Sequence, residues 1–243
     1  MRLKFATFIY MIFTDSAIVL FRQDFREMDR IVSLYTLENG RLNVRVPGVK
    51  RAKSKLKAFT EPFSCAQYRI YQRGANTVGT VTGGKLTHIF PTVRADLKRQ
   101  LVAMHCCELM MRLTPLHQTS REKYHLLFQA LTELEQQSPS SAFVPAFTLR
   151  LMAAAGFGLD HPVLQITPQF WTRMHEDSFS NLQFTEPEDL LCLSRCNEVC
   201  RRFLNQYLNY PLQTVKPFAL SAQEQAVLAS EVSVKHTITA GTL

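Results

Sequence analysis

The stretch RIVSLYTLENGRLNVRVPGVKRAKSKLK, residues 30–57, decides the fold of the N-terminal part of the chain. Two short runs rich in β-branched residues flank Glu38-Asn39-Gly40, and Asn and Gly tolerate the positive φ that a tight turn requires. The pattern therefore predicts two antiparallel strands joined by a hairpin. Directly after Gly48, five cations follow within eight residues.

Further strand-like runs lie on either side of this hairpin: AIVLF at 17–21, QYRIYQ at 67–72 and VGTVTGG at 78–84. Together they predict five short antiparallel strands, with Gly83-Gly84-Lys85 interpreted as a hairpin turn. Five such strands can close into a small barrel, and the OB-fold is the common barrel of this kind that binds oligonucleotides. The fold class predicted is α+β, a five-stranded OB-fold β-barrel followed by an all-helical C-terminal domain.

Beyond Pro91 the apolar residues recur at helical spacing. The first predicted helix carries an apolar stripe of Leu97, Leu101, Met104, Leu109 and Leu113. Later helices are predicted from Ser120 through Leu134, at 143–155 before Gly156, at 188–210 and at 222–230, with an irregular or partly helical segment at 157–187. The predicted domains are residues 1–88 and 89–243.

The net charge of +8 is concentrated in one part of the chain. Residues 1–90 hold 15 Lys and Arg against 6 Asp and Glu, whereas residues 91–243 hold 13 against 14. A positive field confined to one domain indicates a polyanionic partner, with nucleic acid first, an anionic membrane surface second and a merely solubilising surface third.

The basic run at 50–57 has the composition of a phosphate-binding loop, although a charge run alone is more often a solvated surface. Nucleic acid is favoured here because the run follows a strand of the domain that holds the net charge. The residues predicted to contact DNA are Lys50, Arg51, Lys53, Lys55 and Lys57 and, as a supporting surface, Arg22, Arg26, Arg30, Arg69, Arg73 and Tyr71.

Aromatic residues interleave with these cations and could stack on bases. Burial is the favoured interpretation for most of them, with Phe21 and Tyr35 expected to fill the barrel. Tyr68 and Tyr71 are three residues apart and cannot share a face of a straight strand, so one of the two is expected to be exposed.

The six cysteines lack the spacing of a secreted disulfide framework, which favours a reducing cytoplasm. Cys192, Cys196 and Cys200 recur every four residues and are expected to pack in a core rather than surround a metal ion. There is no CxxC, no HExxH, no GxSxG elbow and no nucleotide-binding loop in the sequence. We therefore expect no enzymatic activity, no metal and no cofactor.

The N-terminal apolar run at 5–13 follows two cations but has no small-x-small cleavage site, so it is not interpreted as a signal peptide. No apolar run reaches the roughly 18 residues of a membrane span. The expectation is a cytoplasmic, nucleoid-associated protein with no membrane partner.

The residues from 17 to 64 resemble the N-terminal domain of the RecO family of bacterial recombination mediators. The resemblance is carried by the turn at 36–40, Gly48, the KSKL at 53–56 and the Glu61-Pro62-Phe63 that follows. FTLRLMAAAGF at 147–157 and Leu159-Asp160 resemble the family's helical domain, so nearly the whole chain is covered.

The resemblance implies a protein that binds single- and double-stranded DNA, anneals complementary strands and, with RecR, loads RecA onto DNA coated by single-strand-binding protein, whose C-terminal tail is a further expected partner. Two departures from the family follow. Residues 157–187 stand where many members have a four-cysteine zinc module and contain no cysteine. Residues 1–14 precede the family's usual first strand and are interpreted as an extension, with Met11 as an alternative start.

Two other hypotheses remain at this point. The chain could be an interaction adaptor whose helical domain docks an acidic partner peptide, with DNA contact incidental. It could also be a metal-dependent enzyme that combines the cysteine stripe with His161 or His175, which is the least favoured of the three.

Overall fold

A computed structural model describes residues 10–74, 77–158, 166–208 and 212–214 of the 243-residue chain. Its first half contains five strands: β1 (Tyr10–Phe25), β2 (Asp29–Thr36), β3 (Gly40–Val46), β4 (Cys65–Arg73) and β5 (Gly79–His88). They form a closed barrel in the order β1-β2-β3-β5-β4. All pairs are antiparallel except β3 and β5, which pair in parallel at Val44 and Arg45. The predicted five-stranded OB-type barrel and α+β class are confirmed.

The hairpin predicted at Glu38-Asn39-Gly40 is confirmed, since β2 and β3 pair in antiparallel register up to Thr36 and Gly40. Gly40 has a φ of +66°. A Cβ there would lie 2.1 Å from the carbonyl oxygen of Gln118, so the chain from the helical half crosses directly against this turn. Both the dihedral and the contact require glycine.

Strand β1 is longer than the sequence pattern predicts. Its residues from Tyr10 to Thr14 pair with β4 from Arg73 to Arg69. The interpretation of residues 1–14 as an extension is therefore wrong for 10–14, because their backbone closes the barrel; residues 1–9 lie outside the described part of the chain.

The interpretation of Gly83-Gly84-Lys85 as a hairpin turn is also wrong. All three residues lie inside β5, where Gly84 pairs with Tyr68 and Lys85 with Gln67. A Cβ at Gly84 would lie 2.3 Å from the carbonyl oxygen of Gln67 and 3.0 Å from the ring of Phe59. The glycine therefore allows a close approach within the strand instead of a turn.

The helical half begins with α1 (Pro91–Ala95) and α2 (Leu97–Leu113), which the sequence analysis predicted as one helix. Asp96 separates them, and its carboxylate accepts a hydrogen bond from the backbone N–H of Arg99 at 2.8 Å, as an N-cap does. The predicted apolar stripe is wrong at Leu97 and Met104, which are 70% and 42% exposed. The buried face of α2 is formed by residues such as Val102, Cys106, Leu109 and Met110.

The remaining described helices are α3 (Arg121–Gln136), α4 (Phe143–Ala154), α5 (Pro168–Glu176) and α6 (Pro187–Tyr207). Ser120 caps α3, and Gly156 with a φ of +86° follows α4, as predicted. Segment 157–187 is partly helical, as predicted, since it contains α5 and a 3-10 turn at Phe179–Asn181. The helix predicted at 222–230 lies outside the described residues. None of the described helices combines the length and apolarity that a membrane span requires.

Two hydrophobic clusters hold the molecule together. One fills the barrel with residues such as Val19, Leu34 and Tyr68. The other joins outward-facing barrel residues, including Ile18 and Tyr35, to the helices. The predicted domain division at residue 88 coincides with the end of β5 at His88, and α1 starts at Pro91. The two halves nevertheless share the second hydrophobic cluster, so the division into two domains stays a prediction.

All six cysteines are buried, which confirms that the stripe on α6 is core packing. Within the described part of the chain, no three His, Cys, Asp or Glu side chains are grouped as a metal site would need. The ring Nδ1 of His175 lies 3.0 Å from the carbonyl oxygen of Trp171, and His161 is not among the described residues.

Candidate nucleic-acid interface

The basic run becomes a loop at one end of the barrel, between β3 and β4. Apolar residues anchor it: Val49 and Phe59 belong to the barrel core, and Leu56 packs against that core. Arg51, Lys53, Lys55 and Lys57 are all exposed. The apolar residues therefore hold the loop backbone against the barrel, and the basic side chains between them are exposed to solvent. We call residues 50–57 the basic loop.

The cations of the basic loop differ in their partners. Lys50 Nζ lies 3.1 Å from an Asp24 carboxylate oxygen, and hydrogen bonds from Lys50 and Arg30 lower the pKa of Asp24. No described residue forms an ion pair with the other four cations, Arg51, Lys53, Lys55 and Lys57. A cation without an acidic neighbour can neutralise a phosphate without first breaking an internal contact.

Two of the predicted supporting arginines are held in an ion-pair network on the β1–β2 side of the barrel. Arg30 lies 3.1 Å from Asp24 and 3.5 Å from Glu61, and it donates a 2.9 Å hydrogen bond to Thr60. Arg22 also pairs with Glu61. The sequence analysis did not anticipate this network, because its members lie up to 39 positions apart in the chain. Carboxylates thus partly neutralise the charges of Arg22, Arg30 and Lys50, which the predicted DNA-binding site did not take into account.

The ion pairs of that network in the described part of the chain do not include Arg26 or Arg69. Arg26 occupies the β1–β2 turn with a φ of +54°, and its guanidinium lies 5.1 Å from the centre of the Phe25 ring. Arg69 and Arg73 are exposed on β4. The predicted site residues therefore do not form a single cluster.

Lys85 is a cation that the sequence analysis missed. It is exposed on β5 and pairs in register with Gln67 of β4. Gly84, the residue before Lys85, lies close to the ring of Phe59, which follows Lys57 by two residues. The chain that follows the basic loop therefore packs against β5 at Gly84, next to Lys85.

One signal in the sequence could have found this face. Residues 62–95, which include all of β4 and β5, contain no Asp or Glu. Across residues 39–95 the single acidic residue is Glu61. We call six of the exposed cations of this region, Arg51, Lys53, Lys55, Lys57, Arg69 and Lys85, the basic surface.

The positions of the aromatic residues, inside the barrel, against the helices or at the surface, differ in part from the prediction. Tyr68 fills the barrel and donates a 2.7 Å hydrogen bond to the carbonyl oxygen of Phe59, while Tyr71 is half-buried on the outer face. Tyr35 is buried as predicted, but against the helices, and burial raises its pKa to about 12. The predicted burial of Phe21 is wrong, because Phe21 is 49% exposed.

This arrangement is suited to electrostatic contact with a polyanion. Fixed cations at one end and along one face of the barrel create a positive field that lacks local compensation, and such a field binds phosphate backbones irrespective of sequence.

Comparison with known proteins gives two consecutive family matches. The family model described as recombination protein O N terminal matches residues 11–90, and that described as recombination protein O C terminal matches residues 94–161.

Similar curated proteins bear the name DNA repair protein RecO. That of Myxococcus xanthus is 31% identical over 144 residues, 59% of this chain and 59% of the relative. That of Listeria monocytogenes serotype 4b (strain F2365) is 29% identical over 139 residues, 57% of this chain and 54% of the relative. That of Syntrophomonas wolfei is 27% identical over 150 residues. The matched part spans only somewhat more than half the length of these relatives.

Proposed function

The chain belongs to the RecO family, and we propose that it is a DNA repair and recombination protein that binds DNA through its basic surface. The observation that carries the proposal is the set of exposed loop cations without acidic partners among the described residues, next to two strands without any acidic residue. Release of counterions from the DNA supplies the binding energy.

We further propose that the protein acts as a mediator. By neutralising phosphates on two strands at once, the basic surface reduces their repulsion and allows complementary strands to anneal. RecR, the C-terminal tail of single-strand-binding protein and, indirectly, RecA are the proposed partners. The protein is proposed to catalyse no covalent step and to act at the nucleoid. These finer points rest on the resemblance to the family.

The proposal is tested by charge reversal. In the double variant Lys53→Glu/Lys55→Glu we expect affinity for single- and double-stranded DNA to fall at least about tenfold, and annealing to slow, because two phosphate contacts become repulsive. The matched comparison uses the single reversals Lys55→Glu and Lys98→Glu, the second at an exposed position of α2 outside the loop. Equal loss in both variants, or no loss in the first, would refute a specific role for the loop.

The adaptor hypothesis has one observation in its favour. Phe157, Phe203 and Tyr207 form an aromatic cluster at the surface, with ring centres 5.2 Å (Phe157–Phe203) and 4.3 Å (Phe203–Tyr207) apart. Together with Arg202, which pairs with Glu198 at 2.7 Å, they line a cavity of about 340 Å³. An aromatic pocket beside an arginine suits an acidic peptide that has an apolar end.

The adaptor function can be separated from DNA binding. Tyr207→Ala is expected to weaken binding of a peptide with the sequence of the single-strand-binding protein tail, measured by fluorescence anisotropy, while DNA affinity stays the same. Unchanged peptide binding in Tyr207→Ala would remove this cluster as the docking site.

A further inference from the structure

A cleft of about 740 Å³ lies between the barrel and α2. On the barrel side it is lined by Leu20, Phe21 and Phe63, and on the α2 side by Met104 and Met111. Its lining is thus largely apolar, and it is separate from the cations of the basic surface.

Phe21 is the unusual member of this lining. The register of β1 against β2 shifts between Val19 and Phe21, and Phe21 belongs to neither hydrophobic cluster. Almost half of the residue is exposed, although it borders an apolar cleft. An exposed ring on an oligonucleotide-binding type of barrel provides a surface on which a base can stack.

Three arginines surround the same cleft: Arg22, Arg41 and Arg112. The single carboxylate in the described lining is that of Glu108, which accepts hydrogen bonds from the backbone N–H groups of Gln213 at 2.8 Å and Thr214 at 2.7 Å. Glu108 also lies 3.7 Å from Arg112, and Arg22 pairs with Glu61, so the lining carries three arginines against one carboxylate but only Arg41 forms no ion pair with a described residue. Cationic groups around an apolar floor fit a ligand that has an apolar ring and a phosphate.

Ion pairs connect the cleft to the basic loop. Arg22 of the cleft pairs with Glu61, and Glu61 also binds Arg30. Arg30 in turn pairs with Asp24, which holds Lys50 at the start of the loop. The cations between the basic loop and the cleft are therefore neutralised by these two carboxylates, and the cleft is a contact point separate from the loop.

We propose that a nucleobase of single-stranded DNA enters this cleft and stacks on Phe21. This inference rests on the proposed DNA binding and adds a preference to it. Single strands can turn a base face toward Phe21, whereas the bases of a duplex are stacked and paired with one another. The basic surface then binds the backbones of both forms, and the cleft favours single strands.

The test uses the full chain with a fluorescently labelled oligothymidylate and a duplex of the same length. Phe21→Ala is expected to weaken single-strand binding by about fivefold or more, the loss of one stacked base, and to leave duplex binding unchanged. Phe21→Trp is expected to retain single-strand binding. Phe25→Ala is the matched control, because Phe25 is an exposed phenylalanine of β1 that does not line the cleft.

A direct readout is photocrosslinking with an oligonucleotide that contains 5-iodouracil, followed by mapping of the crosslinked peptide. A crosslink at Phe21 that Phe21→Ala abolishes supports the inference. If Phe21→Ala binds both DNA forms as the wild type does, or loses both equally, the inference is overturned while the proposed DNA binding stands. If the wild-type protein binds neither form, both are overturned.

Discussion

At the scale of single residues, partners decide what each cation can contribute. Lys55 projects from the loop without a described ion pair, whereas Arg30 is held by Asp24, Glu61 and Thr60. A paired cation must give up internal contacts before it can bind a phosphate. Stability and DNA affinity should therefore depend on different cations of the same domain.

This division gives a prediction for two alanine variants. Lys55→Ala is expected to lower DNA affinity without changing the free energy of unfolding. Arg30→Ala is expected to cost about 1 kcal/mol of that free energy and to have the smaller effect on affinity. Urea unfolding and fluorescence anisotropy on both proteins measure the two quantities. The reverse ranking of affinities would contradict the assignment.

Tyr68 gives a second prediction at this scale. Its hydroxyl donates to the Phe59 carbonyl inside the barrel, and burial raises its pKa well above the ordinary range of tyrosine. Tyr68→Phe leaves that carbonyl without its donor, so we expect a loss of about 1–2 kcal/mol in urea unfolding. A neutral substitution would show that the bond adds nothing to the anchoring of the loop.

The exposure of the loop cations follows from the sequence alone, because five charges in eight residues cannot all be buried. Sequence analysis could not separate paired from unpaired cations, since the partners come from distant strands. It also placed Phe21 in the barrel, because the alternation of apolar and polar residues does not reveal a register shift in β1.

At the scale of elements, the Asn-Gly turn and the serine cap were predicted correctly, whereas the Gly-Gly turn was not. The Gly40 hairpin and the Ser120 cap were predicted because each depends on a local dihedral or a local hydrogen bond. The full length of β1 and the position of Gly83-Gly84 within β5 depend on pairing with β4, which residue patterns do not reveal.

The two adjacent glycines of β5 allow a controlled prediction. Gly84→Ala is expected to destabilise the barrel by about 2 kcal/mol or more, because the added Cβ would meet the Gln67 carbonyl oxygen at 2.3 Å. Gly83→Ala is expected to be tolerated, since its Cβ would have no neighbour within 4 Å. Thermal unfolding of both variants compares them, and equal melting temperatures would contradict the close approach.

At the scale of the whole molecule, the barrel and helices are joined by polar contacts as well as by a shared core. Arg41 Nε donates to the Thr114 carbonyl at 2.9 Å, Arg121 lies 2.7 Å from Glu38, and Arg94 donates to the Pro62 carbonyl at 2.7 Å. A barrel cut at residue 88 would expose Ile18 and Tyr35 to water.

We therefore expect the chain to unfold in one cooperative step. Far-ultraviolet circular dichroism and tyrosine fluorescence should give coincident urea transitions. Two separate transitions would contradict this expectation. They would show that residues 1–88 and 89–243 unfold independently, as two separate domains would.

The stability of the whole chain should also depend on pH. Burial lowers the pKa values of His105 and His175. The unfolded chain therefore takes up these protons first, and stability is expected to fall as pH drops from about 7 to about 5. His105→Asn should reduce the slope of unfolding free energy against pH in that window. An unaltered slope would contradict the contribution of His105.

The central claim, that unpaired cations of the basic loop bind DNA phosphates, is tested most directly by the salt dependence of single-strand affinity. Four phosphate contacts predict a slope of log K against log salt of about −3, which Lys53→Glu/Lys55→Glu should reduce to about half and the control Lys98→Glu should leave unchanged. A wild-type slope near zero, or an unchanged slope in the loop variant, would contradict the claim.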